Sequence, residues 1–406
     1  MTFEHLIASR FLTGDKNSFS RPLVRIATYT IALGVLVMIM AMSILRGFQK
    51  QISDKVVGFG SHITMHSYGW VNDFDEIPLA LDTQVLQNIS TLPGVRNINP
   101  YAYKGGMLKT DLQIQGIVFK GVDANFDTSF FARNIVCGRL PHFDNPQASS
   151  EIIISKRLSS RLGLDTGHKA RTYFWTGDNY RARAFRIVGI YNTDLSEFDD
   201  HYIVGNISQI RRLNGWDSSQ VAGYEILVDD FNRLDKTLDD VKYATPPDVD
   251  VRSVREQQPS MFAWLQLLNS NIVLILTIMA LVCASSIVSA LLIMIFEKTS
   301  MIGILKTLGA TNRSIRRIFL IKATRIVGIG IIAGNLLALI LSLLQTQFHI
   351  VHLDTESYSM PFVPVDINLW YYLAISCGAM AICLVALLLP STYISHIHPA
   401  KTVRIE

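Results

Sequence analysis

From Gln257 to Phe296 the chain runs for forty residues without an Asp, Glu, Lys or Arg. A stretch of about 20 apolar residues is enough for a helix to cross a hydrocarbon core. Three further stretches meet the same test without a charge: Ile26 to Leu45, Ile326 to Leu344 and Leu369 to Leu389, with Leu268 to Phe296 as the span inside the forty. One buried core helix would account for one such segment, but four require a membrane. The low overall charge, 17% against about 25% in soluble domains, has the same origin.

The first span invites confusion with a secretion signal, because Ala41, Met42 and Ser43 loosely resemble a cleavage site. Its apolar stretch is longer than a signal h-region and a charged segment up to Arg25 precedes it, so it is expected to stay as an anchor. The segment before it, the loop after the second span and the tail together hold thirteen Lys and Arg against four carboxylates, whereas Gln345 to Asp366 holds none against three. The positive-inside rule then places both termini in the cytoplasm and the segment from Arg46 to Glu256 outside. That external segment is close to neutral, so the formal charge of +4 is a topology signal. Nucleic acid is not expected as a partner.

The external segment reads as mixed α and β. Strand-like runs are Ile63 to His66, Leu112 to Val122, Glu151 to Ile154, Arg183 to Tyr191 and Tyr224 to Val228. Pro93-Gly94, Gly105-Gly106 and Thr176-Gly177-Asp178 predict turns, and Thr83 to Ile89, Ser155 to Leu162 and Phe231 to Tyr243 predict helices. Cys137 alone of the four cysteines lies outside the spans, so this domain cannot be held by its own disulfide.

Helical periodicity marks the chain both where it passes into the external segment and where it leaves. Leu45, Phe48, Ile52 and Val56 continue an apolar stripe beyond the first span, and Met261, Trp264, Leu265 and Leu268 lead into the second after Pro259. The pattern predicts two membrane helices that overshoot the bilayer and pack as a stalk. On the cytoplasmic side, Met301, Ile304, Leu305 and Leu308 share one face of a short helix closed by Gly309, and Thr311 caps the basic helix Arg313 to Arg325. Composition alone favours a short helix that rests on lipid headgroups.

Particular residues add a family. Glu297-Lys298 and Ile302-Gly303-Ile304-Leu305-Lys306-Thr307-Leu308-Gly309-Ala310-Thr311 resemble the coupling segment of the FtsX and MacB superfamily of ABC transporter permeases. The tail, with Pro390, His398-Pro399-Ala400-Lys401 and Arg404-Ile405-Glu406, resembles that superfamily's ending. Phe3-Glu4, Ile7-Ala8-Ser9-Arg10-Phe11-Leu12, Gly34-Val35, Gly47-Phe48, Ser61-His62-Ile63, Val188-Gly189-Ile190, Glu197-Phe198-Asp199, Leu353-Asp354 and Tyr358 are similar to the lipoprotein-releasing LolC and LolE branch.

The resemblance implies an α-helical membrane protein with four transmembrane helices and a large extracytoplasmic α+β domain of the MacB type. Its segments would be 1–25, a cytoplasmic amphipathic stretch; 26–58, first span and stalk; 59–255, periplasmic domain; and 256–296, stalk and second span. There follow 297–325, the coupling loop; 326–348, third span; 349–367, periplasmic loop; 368–390, fourth span; and 391–406, cytoplasmic tail. It implies residence in the bacterial inner membrane, and as partners a LolD-like ATPase, a second permease copy or paralogue, a periplasmic lipoprotein carrier, lipoprotein substrate and membrane lipid. Glu297, Met301 to Lys306, Leu308 and Gly309 would form the ATPase contact, with Met301 standing where many relatives carry an acidic residue. Independently, the chain has no G-x-x-x-x-G-K-[ST] phosphate loop, so ATP and Mg belong to the partner and no cofactor is expected here. A MacB-like export subunit and an FtsX-like subunit controlling a cell-wall hydrolase are the alternatives.

Gly330, Gly334 and Ala338 recur every four residues on the third span, as Ala374 and Gly378 do on the fourth. They predict close helix packing within the subunit, with a dimer seam as the alternative, and Asn335 is expected to hydrogen-bond inside the bundle. Neither His62 with His66 nor His349 with His352 and Asp354 has zinc spacing, and Glu197, Asp199, Asp200 and His201 read as a solvated turn. No catalytic or metal residue is assigned.

Overall fold

The computed structural model describes residues 20–69, 77–111, 113–144, 150–176 and 179–392. The sequence features at Phe3 to Leu12, Leu112, Gly177-Asp178 and His398 to Glu406 lie outside these. The described chain forms two compact units. One holds the chain up to Gln49, Trp264–His352 and the chain from Phe362 onward; the other holds Lys50–Ala263 with Leu353–Pro361. The division therefore falls at Lys50 and Ala263 instead of 58/59 and 255/256, and the loop 349–367 is shared between units. Lys55 supplies a reason, because its ammonium donates to the Ser359 carbonyl at 2.9 Å within the second unit.

In chain order, ignoring helices of six residues or fewer, the elements begin with α1 (Ser20–Phe59), β1 (Ile63–Ser67), α2 (Thr83–Ser90), β2 (Val95–Lys109) and β3 (Ile114–Val122). Next come β4 (Ile135–Gly138), β5 (Glu151–Ser155), α3 (Lys156–Leu162), β6 (Lys169–Thr176), β7 (Asn179–Tyr191), β8 (Tyr202–Asn206) and α4 (Ser208–Asn214). The chain continues through β9 (Gly223–Val228), α5 (Leu234–Ala244), β10 (Val249–Ser253), α6 (Pro259–Glu297), α7 (Thr299–Thr307), α8 (Asn312–Phe348) and α9 (Leu369–Ser391).

Among the described residues, four helices are long and apolar enough to cross a membrane: α1, α6, α8 and α9. At 1.5 Å per residue, α1 and α6 reach roughly 60 Å, about twice the hydrocarbon thickness, whereas α9 reaches about 35 Å. The helical periodicity read across both junctions is matched by unbroken helix, and α6 starts at Pro259, where the missing amide hydrogen has no helical partner to lose.

The bundle core is apolar, built around Ile31, Val35, Ile39, Ile287, Ile295, Phe319 and Val327. Gly330 and Gly334 of α8 lie against α1: a Cβ at Gly330 would stand 2.8 Å from Ile31, and one at Gly334 2.6 Å from the Ala32 carbonyl. Ala338 is buried beside them, and Asn335 donates to Ser376 Oγ of α9 at 2.7 Å. Ala374 and Gly378 do not pack within the subunit. Both are exposed, and a Cβ at Gly378 would meet nothing within 4 Å.

In the second unit, hydrogen-bond pairing joins β2–β3, β3–β8, β8–β5, β5–β7, β7–β6 and β6–β2, so six strands close a ring. Leu108, Phe119, Phe174, Phe185 and Ile187 are buried, with Phe119, Phe174 and Phe185 in mutual ring contact at 5.1 to 6.1 Å. From β2 the sheet continues through β9 and β1 to β10. β3–β8 and β5–β7 are parallel and the other pairs antiparallel. Gly105-Gly106 is not a turn but the middle of β2. There β2 is flanked by β3 and β6 at once, and a Cβ on Gly106 would sit 2.9 Å from the Tyr173 carbonyl, so glycine marks close backbone approach.

Candidate functional site

The loop between α6 and α8 is built from local rules. α7 ends where Gly309 adopts φ +89°, and Ala310 N–H returns to the Leu305 carbonyl at 2.9 Å. Thr311 then accepts from Ser314 N–H at 3.2 Å and starts α8. The apolar face expected on α7 divides in two. Ile302 and Gly303 are buried, and Met301 and Leu305 pack half-buried against the bundle core. Ile304 and Leu308 are 51% and 78% exposed. Ile302, absent from the expected face, is thus the anchor, and an exposed pair is left on the outer side. Glu297 closes α6 and, like Lys306, is half-buried and engaged. Next to this turn a cavity of 520 Å³ is lined by Thr311, Arg313, Ser314, Arg316, Arg317 and Leu320, and Arg316 donates to Ser391 Oγ at 3.0 Å.

The stalk residues fall into two sets. Phe48 meets Trp264 edge-on at 6.4 Å, while Leu45, Ile52 and Val56 are buried. On α6 the buried position is Leu265. Trp264 is more than a third exposed, and Met261 and Leu268 are half-buried, so the second stripe is shallower than its periodicity predicts. Phe262, one residue past Met261, stacks on Phe231 at 6.3 Å.

The end of α1 is held more firmly than the stripe implied. Phe59 packs on Phe131, Phe198 and Tyr202 at 4.4 to 5.7 Å, and its carbonyl, free at the helix terminus, accepts from Lys120 Nζ at 2.5 Å. Lys120, on β3, is fully buried with Glu225 of β9, whose carboxylate oxygens lie at 2.8 and 3.0 Å. Tyr103 donates to the same carboxylate at 3.3 Å, and the Phe59 and Phe126 rings lie 5.5 and 5.3 Å from the ammonium. Burial pushes Lys120 down and Glu225 up, and each charge opposes the other's shift. Sequence reading missed this pair. Its signal was one charge inside each of two apolar runs, Ile117-Val118-Phe119-Lys120-Gly121-Val122 and Tyr224-Glu225-Ile226-Leu227.

The group around Glu197 also needs correction. Asp199 is fully buried and not solvated: its carboxylate accepts from Thr193 N–H at 3.0 Å and Thr193 Oγ1 at 2.7 Å, and Ser155 Oγ donates to its carbonyl. Burial outweighs these bonds and raises its pKa to about 6. Asp200 binds Arg161 at 3.0 Å and Arg157 at 3.5 Å. His62 accepts from Val228 N–H at 3.0 Å, and burial lowers its pKa to about 4; His66 lies 3.4 Å from Asp250. Among the described residues no group of three His, Cys, Asp or Glu could hold a metal.

With this geometry in view, comparison with known proteins is direct. Residues 26–256 match the MacB-like periplasmic core domain and residues 273–399 the FtsX-like permease C-terminal family. The chain belongs to the MacB-like, FtsX-like permease family. Its curated relatives include the lipoprotein-releasing system transmembrane protein LolC of Neisseria meningitidis, 24% identical over all of both chains. LolC of Xylella fastidiosa is 23% identical across 93% of this chain and 92% of its own. LolE of Haemophilus influenzae is 22% identical across 99% of each. This permease is thus LolC/LolE-like along its length, with the whole sheet inside the first family segment and α7, α8 and α9 inside the second.

Proposed function

We propose that the chain is a permease subunit of an ABC transporter that extracts lipoproteins from the inner membrane for a periplasmic carrier. The observation that carries this reading is the end-to-end similarity to both LolC and LolE. Its external domain and both termini take the periplasmic and cytoplasmic sides read from the charge distribution. A separate LolD-like ATPase holds ATP and Mg and meets α7 at its exposed Ile304 and Leu308, with Met301, Gly303, Lys306 and Gly309 shaping the turn. A second permease, copy or paralogue, completes the membrane part. This subunit needs no covalent chemistry of its own.

Mechanical transmission is supported by α1, a single helix that runs from the first span to the Lys120 anchor. Inserting two glycines after Lys50 tests it, since each costs about 1 kcal/mol in a helix and the pair rotates the following stripe by roughly 200°. The reconstituted complex is expected to keep ATP hydrolysis and lose lipoprotein release, both measured on one sample. Normal release would remove α1 as the transmission element. A wild-type complex that hydrolyses ATP but transfers no lipoprotein to any carrier would overturn the functional reading.

A further inference from the structure

The C-terminal end of the first span carries polar groups that its own fold leaves unanswered. Ser43 is fully buried, and its Oγ has no hydrogen-bond partner among the described residues. One turn later stands Arg46, the first charge after the span. Its Nε is buried without a partner, its Nη1 donates to Gln49 Oε1 at 3.3 Å, and its guanidinium lies 5.3 Å from the Tyr371 ring centre. Among the described residues no carboxylate pairs with it at salt-bridge distance. Asp366 approaches this turn through its backbone, donating its amide to the Ser43 carbonyl at 3.0 Å.

The surroundings are, by contrast, satisfied and closely packed. Gln345 donates to the Val351 and Val363 carbonyls and accepts from Val351 N–H, and Ser342 bonds Tyr372 Oη at 3.0 Å. A Cβ at Gly47 would lie 2.5 Å from the Pro364 carbonyl, so the segment Pro364–Asp366 lies directly on α1. Trp370, 75% exposed, and Tyr371 open α9, the aromatic pattern of a membrane–water interface. That pattern sets the guanidinium at headgroup depth.

A guanidinium beside an aromatic ring, with a buried, unpartnered Nε–H and a buried hydroxyl one turn away, offers the donors that a phosphate accepts. Leaving such donors buried and unmet is unfavourable, which favours an occupant from outside the chain. We infer that Ser43, Arg46 and Tyr371 form a binding site for the phosphodiester of a phospholipid in the leaflet at this end of the span. In the orientation proposed above that is the outer leaflet. The ligand chemistry is phosphate, and the source is a lipid headgroup, not a free anion.

The test uses the full chain purified in mild detergent, loaded with phosphatidylglycerol or with diacylglycerol of matched acyl chains, and lipid retention read by native mass spectrometry. Wild type should retain the phospholipid about tenfold over the diacylglycerol, and Arg46→Gln should abolish that preference. Ser43→Ala should weaken retention about threefold, and Arg46→Lys should fall between wild type and Arg46→Gln because it keeps charge without the planar fork. Equal retention of both lipids by wild type would overturn the site. So would unchanged preference in Arg46→Gln or, if that variant fails to fold, in both Ser43→Ala and Arg46→Lys. Displacement of bound phospholipid by millimolar inorganic phosphate would make this a free-anion site and overturn the lipid assignment.

Discussion

The two compact units solve burial in opposite ways. In the bundle the buried positions are apolar or small, with a few uncharged groups such as Ser342 and Gln345, and close approach comes from Gly330 and Gly334. In the sheet unit Lys120, Glu225 and Asp199 are buried as well, each inside a set of donors and acceptors, and His66 is buried beside Asp250. Lipid offers a loosely placed polar group no water, so a membrane bundle gains specificity from shape. A domain that folds in water can place a charge in its interior where neighbours replace the lost hydration, and can use it to fix the end of a helix.

The largest effect should come from breaking that interior pair. Lys120→Met leaves Glu225 buried and unmatched, and is expected to cost about 3–5 kcal/mol in thermal or denaturant unfolding. Lys120→Met with Glu225→Leu should recover much of the loss. A single mutant as stable as wild type would remove the contrast between the units.

A smaller loss is expected in the bundle. Gly334→Val forces side-chain atoms into the Ala32 carbonyl and Val35 and should cost about 1–3 kcal/mol, whereas Gly378→Val, facing open space, should leave the melting temperature nearly unchanged. Equal effects in thermal melts would show that small residues on α8 are not specific contacts.

The contrast can be sharpened by pH. Asp199 is raised to about 6 in the fold against an ordinary aspartate value of 3.8, so between these pH values the folded state holds a proton that the unfolded state has released. Stability from this group is therefore full below about pH 4 and is lost as pH rises to 6, on the order of 1–3 kcal/mol. Denaturation of the full chain across pH 4–7 should show a steeper fall for wild type than for Asp199→Asn. Parallel curves would mean that the carboxylate is not buried as described.

The smallest change in stability belongs to Leu308→Asp, within about 0.5 kcal/mol because the side chain is exposed. Loss of ATPase co-purification from this otherwise intact variant would place the partner on the outer side of α7. Ile302→Asp should instead destabilise the bundle itself. Retained ATPase binding in Leu308→Asp would favour a helix resting on lipid.

The four long helices, the Gly309 turn, the Thr311 cap and the family were all legible in the residues, because hydrophobic length, capping chemistry and motif spacing are local properties. Strands β1, β5, β7 and β9 were legible for the same reason. Pairing was not. A period of two says which residues share a face but not which strand lies beside them, so Gly105-Gly106 read as a turn when two neighbouring strands demanded a bare backbone there. The partnership of Lys120 with Glu225, 105 residues apart, and the burial of Asp199 likewise depend on contacts that no local pattern encodes. On α7 periodicity grouped Met301, Ile304, Leu305 and Leu308 correctly on a cylinder, yet only packing against the bundle decided that Ile302 faces inward and Leu308 outward. Sequence alone determined which segments must leave water, because transfer free energy is summed residue by residue. Tertiary structure decided which polar groups could follow them, because that depends on partners brought together from distant parts of the chain.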